Sequence, residues 1–181
     1  VVDCLNHCGK RPMQWMLENL PLDHRFHLVH STHLDDDELS KLAASKANVV
    51  LCPSTEGNLG DGIFRMREYV KLGGHWSIGT DSHIGINPLE EFKMIDYRQR
   101  LVSNFRNTFE GDAARYMVNE EIESGRMAMG NKFTNHFAIY QPFDAIVYNA
   151  QSHLLADTSE KNRLATIVVT GDSSRNLGTI V

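Results

Sequence analysis

Long apolar runs are missing from this sequence. No stretch approaches the roughly 20 apolar residues that a membrane helix requires, and the opening residues, VVDCLNHCGK, lack the basic-then-apolar layout of a signal peptide. No membrane partner is expected, and the expected setting is soluble and cytoplasmic. Positive charge is in short supply as well. Eighteen Lys and Arg stand against 23 Asp and Glu, leaving a net charge of -5 with the basic residues scattered rather than striped. That pattern lacks the electrostatic footprint of a nucleic-acid binder, so no nucleic-acid partner is expected. Cysteine is scarce and odd in number: Cys4, Cys8 and Cys52 cannot build a disulfide framework and point to a reducing compartment. Cys4, His7 and Cys8 fall within one helical turn, but no second cysteine pair completes a metal cluster, so they read as an ordinary helix face. Several catalytic signatures are absent too: G-x-S-x-G, G-x-x-x-x-G-K-[ST] and H-E-x-x-H. Cys52-Pro53 stands in the wrong order for a cytidine-type zinc deaminase.

What remains has the composition of a globular protein, 41% hydrophobic and 23% charged, in 181 residues, enough for a real core. Short apolar runs that end in polar or ionisable residues alternate with helical patterns. FHLVH (26–30), NVVLC (48–52) and the run that opens WSIGTDSH (76–83) read as buried strands. Between them, Arg11-Pro12 starts a helix with Met13, Met16, Leu17 and Leu20 as its apolar stripe. Asp35, with Glu38 three residues later, predicts a capped helix burying Leu39, Leu42 and Ala43. The glycine-rich stretch 54–62, STEGNLGDG, reads as a polar loop before a helix over about 63–72. Asn87-Pro88 opens a helix to about 103, and another is expected over about 112–124, stopped by Gly125. Beyond Met129 the texture changes. FDAIVY (143–148), RLATIVVT (163–170) and 178–181 read as strands, with a turn at Gly171-Asp172.

Three strand–helix cycles predict a parallel sheet of right-handed crossover units. A doubly wound domain fits this length; an eight-stranded barrel, typically about 250 residues, would be represented only by its later strands. Such a piece leaves parallel strand edges open. The first residue is not Met, and the opening stretch is helix-like, so a fragment of a longer chain is expected.

The candidate chemistry lies where strands end. Asp81 follows the third strand and His30 closes the first, and both are metal-competent groups at one edge of the sheet. Polar loops also supply Asp and His by default. His24, His27, His30 and His33 recur every three residues on a strand and loop, so they cannot share one helical face, and His75 and His83 stand behind them. An Asp-x-His pair such as Asp81 and His83 splays to opposite faces if the strand continues. Glu56, Asn58 and Asp61 are possible substrate or supporting residues.

Three motifs in order, LVHSTHLDDDEL (28–39), LCPSTEGNLGDGIF (51–64) and IGTDSH (78–83), resemble the amidohydrolase superfamily. Within it the chain is most similar to the formimidoylglutamate deiminases, which also have counterparts of GKRPMQW (9–15) and YRQRL (97–101). The resemblance is close over about 9–105 and loose beyond. It implies the C-terminal half of a (β/α)8 TIM-like barrel, strands six to eight with their helices, over residues 1–128, and part of a small flanking β-domain over 129–181. Asp81 would then be a ligand of one catalytic zinc ion and the proton shuttle. His30 would not bind metal but would hydrogen-bond the activated water or the oxygen of the adduct. The implied reaction is hydrolysis of a small-molecule substrate, N-formimino-L-glutamate, to N-formyl-L-glutamate and ammonia, as in histidine degradation, by an enzyme that is a homodimer at full length. The family's other metal-binding histidines, its shuttling glutamate and its substrate arginines have no counterparts in these residues. This chain alone is therefore expected to be inactive. Another deaminase of the superfamily, acting on guanine or a related ring, and a non-catalytic α/β binding domain are the alternatives.

Overall fold

The computed structural model describes residues 1–131, 137–141, 143, 145–170 and 176–180. Helix α1 (Val2–Cys8) ends at Gly9, whose φ of 70° is the left-handed closure that glycine accepts without strain. Helix α2 (Pro12–Asn19) begins with proline at its first position, as the sequence predicts. Strand β1 (His27–Val29) leads to α3 (Asp36–Ser45), where Asp35 accepts from the Glu38 amide at 2.9 Å and Glu38 accepts from the Asp35 amide at 3.0 Å. The same buried Glu38 carboxylate receives Arg11 Nε at 3.0 Å and the Gln14 amide at 3.2 Å, fastening α2 to α3. Strand β2 (Asn48–Leu51), helices α4 (Pro53–Leu59) and α5 (Met66–Lys71), strand β3 (His75–Ile78) and the long α6 (Pro88–Ser103) follow.

The three strands form a parallel sheet in the order β1-β2-β3, with Leu28 opposite Val49 and Val49 opposite Trp76. Side chains alternate across a strand. Leu28, Val49, Leu51, Trp76 and Ile78 therefore share one face, and they join a single core with Leu39, Leu42, Tyr69, Phe92 and Ile95 from the helices. The opposite face carries His27, Val29, Asn48, Val50, His75 and Ser77, and Val29 is half exposed there. Asn48 Nδ2 donates to Ser77 Oγ at 2.8 Å, a polar tie between buried groups on that face.

Helix α7 (Ala113–Glu120) passes through a π-helical turn (Glu121–Gly125) into α8 (Arg126–Ala128). Strand β4 (Ala145–Tyr148), helix α9 (Glu160–Thr170) and strand β5 (Asn176–Ile180) complete the described elements, with β4 and β5 antiparallel. Helix α9 packs on α6 and α7. None of the described helices is long and apolar enough to cross a membrane.

Three sequence expectations are corrected. Residues 53–59 are helix α4, not loop: Pro53 presets the first turn and Gly60, at φ 73°, closes the last. Residues 163–170 belong to helix α9, not a strand. Leu164, Ala165 and Val168, at helical spacing, pack on the core, and that burial overrides the β preference of a Val/Ile/Thr-rich run. The helix expected to stop at Gly125 runs through it: Gly125 keeps right-handed helical backbone in a π-helical turn, and a Cβ there would lie 2.6 Å from Glu121 Oε1. The turn expected at Gly171-Asp172, together with Asp144 and Val181 of the expected strands, lies outside the described residues.

Candidate functional site

The C-terminal ends of the three parallel strands lie side by side, and each delivers a polar group. The amide of His30 extends the ladder by donating to Val50 O at 2.8 Å. The chain then turns through left-handed backbone at His30 (φ 65°) and Ser31 (φ 49°). At the end of β3, Gly79 donates to Leu51 O at 2.9 Å, and Asp81 (φ 42°) and His83 (φ 56°) are again left-handed. Left-handed backbone costs a non-glycine residue about 1–2 kcal/mol, so four such residues at one sheet edge mark a place where local strain is held by its surroundings.

These turns bring His30 and Asp81 together across the end of β2. His30 Nε2 lies 3.8 Å from Asp81 Oδ2, and His30 Nδ1 lies 3.3 Å from Glu56 Oε1. Both His30 and Asp81 are about one-third exposed, so the pair faces open space, whereas Glu56 is buried at 2%. Glu56 Oε1 also accepts from the Cys52 amide at 2.9 Å, and Glu56 Oε2 accepts from Arg98 Nη1 at 3.0 Å. Arg98 reaches over from α6 and also donates to Pro53 O. Ser82 Oγ donates towards Asp81 Oδ2 at 3.4 Å and lies 3.3 Å from Thr55 Oγ1. Burial, reinforced by the charges of Glu56, Asp81 and Glu91, pushes the Cys52 thiol up to about 12, which leaves it neutral and unfit as a thiolate ligand at pH 7.

The other sequence candidates fall elsewhere. His24 is exposed, and His27 lies at the start of β1, its Nδ1 3.2 Å from Asn48 Nδ2. His33 is exposed beside Gly62 and its carbonyl accepts from Arg11 Nη2 at 2.6 Å. His75 sits at the far end of β3, with Nδ1 3.5 Å from Glu120 Oε1. His83 and Asn58 are exposed and Asp61 is half-buried. Arg98 escaped the sequence reading because a lone arginine on an amphipathic helix gives no signal until the helix is docked.

Among the described residues no group of three or more His, Cys, Asp or Glu side chains is arranged to hold a metal ion. Three protein ligands are typical of a catalytic zinc. Asp81, an accessible carboxylate in a strained turn, fits one position of such a set; the described residues do not supply the others.

Comparison with known proteins places these features in context. Residues 9–122, more than half of the chain, match the amidohydrolase family. The chain is 37% identical over 160 residues to formimidoylglutamate deiminase of Pseudomonas aeruginosa, an alignment covering 86% of this chain and 35% of that protein. It is 33% identical over 76 residues to a probable guanine deaminase of Deinococcus radiodurans, covering 41% of this chain and 17% of that one. An amidohydrolase of Brucella melitensis superposes with a TM-score of 0.80 at 31% identity, over 97% of this chain and 39% of its own. An adenosine deaminase of Xanthomonas campestris, solved with bound zinc, shares the fold with a TM-score of 0.85 at 18% identity, over 100% of this chain and 41% of its own. This chain thus spans about a third of the curated deiminase's length. On the family match over residues 9–122, the chain belongs to the amidohydrolase family.

Proposed function

We propose that this chain forms part of a zinc-dependent hydrolase that releases ammonia from a non-peptide carbon–nitrogen bond, with N-formimino-L-glutamate as substrate. The observation that carries the reading is the pairing of His30 and Asp81, 3.8 Å apart at the C-terminal ends of strands flanking β2. The 37% identity to a formimidoylglutamate deiminase supports the choice of substrate. The core helices pack on the face that carries Leu28, Val49 and Trp76, while Val29 on the other face is half exposed, which favours a barrel wall, strands six to eight, over a doubly wound domain, whose sheet carries helices on both faces.

In this reading Asp81 is the one metal ligand among the described residues, and the remaining ligands come from chain outside these 181 residues. A bound zinc ion would activate water near neutral pH by lowering its pKa to about 7. Asp81 would take the water's protons, one as it adds and one from the adduct, and return them to the departing nitrogen. His30 Nε2 faces the same space, where its lone pair would accept a hydrogen bond from the attacking water and orient it. Water and the formimino group thereby become the formyl group and ammonia.

The test is ammonia release by the complete protein carrying this chain, loaded with zinc and given N-formimino-L-glutamate, guanine or adenosine. Release from the first alone supports the reading. Release from guanine alone would replace the substrate, a result that the similarity to the Deinococcus protein makes the second reading. Unchanged turnover and zinc content in Asp81→Asn would overturn the site.

A further inference from the structure

Glu56 is not accounted for by binding metal or by solvation. Its carboxylate is 2% exposed, and a buried carboxylate is costly unless its oxygens are met by donors. Two of its partners are fixed donors, the Cys52 amide and Arg98 Nη1, and the third contact is His30 Nδ1, 3.3 Å from Oε1. Arg98 is itself held by Pro53 O and by a gap in α4. A Cβ on Gly57 would stand 2.6 Å from Arg98 Nη2 and 3.3 Å from Met94 Cε. Glycine inside a helix costs about 1 kcal/mol against alanine, so its place here is explained by the guanidinium that occupies the space.

We propose that Glu56, anchored by Arg98 over Gly57, is the positioning residue that fixes the tautomer and orientation of His30. An ionised carboxylate can only accept a hydrogen bond, so the His30 Nδ1 facing it carries the proton. In the neutral ring Nε2 then presents its lone pair on the side of Asp81. A ring turned the other way would aim a fixed N–H at that space and could accept nothing there. The tautomer follows from the distances, since Glu56 Oε1 lies within hydrogen-bond reach of Nδ1 at 3.3 Å whereas Asp81 Oδ2, 3.8 Å from Nε2, does not; its value for turnover rests on the hydrolase reading above.

Glutamine at position 56 should reverse the arrangement. Arg98, a charged donor, claims the amide oxygen, which turns the amide NH2 towards His30 Nδ1 at the cost of the bond from the Cys52 N–H, which then faces another donor. His30 Nδ1 must then become the acceptor, and the proton moves to Nε2. The readout is the 15N signature of His30 in the full 181-residue chain at pH about 9, well above the ordinary imidazole value of about 6.5. His30→Gln assigns the signals. The wild-type chain should show a protonated Nδ1, and Glu56→Gln a pyridine-type Nδ1. A bare Nδ1 in the wild-type chain overturns the proposal whatever becomes of the variant, as does an unchanged signature in a folded Glu56→Gln. In the complete enzyme, Glu56→Gln should lower kcat by about 10²–10⁴-fold with KM within about threefold, the size of loss that follows when an active-site histidine is held in the wrong tautomer. If the complete enzyme releases no ammonia from any substrate tried, the hydrolase reading fails while the 15N result still decides the tautomer.

Discussion

Replacing Glu121 by glutamine should stabilise the protein at alkaline pH and do progressively less as the pH falls. The Glu121 carboxyl is half-buried against the edge of β3, where Oε2 accepts from the Ile78 amide at 2.7 Å. Glu120 lies beside it, its Oε1 3.5 Å from the Trp76 amide. Burial is the main cause that pushes Glu121 up to about 7 from 4.5, with repulsion from Glu120 adding and the Ile78 hydrogen bond opposing. The unfolded chain loses this proton near 4.5, whereas the folded chain holds it to about 7. Stability from this group is therefore full below about 4.5 and falls as pH rises through about 7, beyond which it is flat. At 1.36 kcal/mol per pKa unit the loss approaches about 3 kcal/mol. Glutamine keeps an oxygen for the Ile78 amide and buries no charge. Urea unfolding of Glu121→Gln and wild type at pH 4.5, 6 and 8 isolates the effect, because the other titrating groups cancel in the difference. The variant's advantage should grow by about 3 kcal/mol from pH 4.5 to 8, or roughly 6–12 °C in Tm for a chain of this size. A difference that is flat with pH, or that grows towards acid, would refute the argument.

Further outcomes follow from local geometry. Asp35→Ala removes the cap of α3 and should cost about 1 kcal/mol in chemical denaturation. Leu42, with no exposed surface, should cost about 2–5 kcal/mol when cut to alanine, the range for a core cavity. Gly57→Ala should destabilise, against the gain of about 1 kcal/mol that a helical glycine-to-alanine change ordinarily brings, because its Cβ displaces Arg98 and strips Glu56 of its cation. Iodoacetamide at pH 8 should modify exposed Cys8 and spare Cys52, which is buried and held neutral, as read by peptide mass spectrometry.

The sequence by itself determined the repeating core of the fold. Apolar runs of four or five residues bounded by caps and prolines marked β1, β2, β3, α3 and α6, since period, cap chemistry and proline geometry act within a few residues. His30 and Asp81 were legible for the same reason, as ionisable residues where apolar runs stop. Local signals misled where distant packing prevailed. The glycine-rich stretch that holds α4 reads as loop, yet Arg98, 41 residues on from Gly57, fills the space that this glycine leaves. The β-branched run of α9 read as strand until the surfaces of α6 and α7 were in place to bury it as a helix. Only the tertiary structure decided that His30, Glu56, Asp81 and Arg98 form one chain of contacts. They come from the ends of β1 and β3 and from helices α4 and α6, and no residue's near neighbours in sequence encode where a parallel crossover brings the next strand.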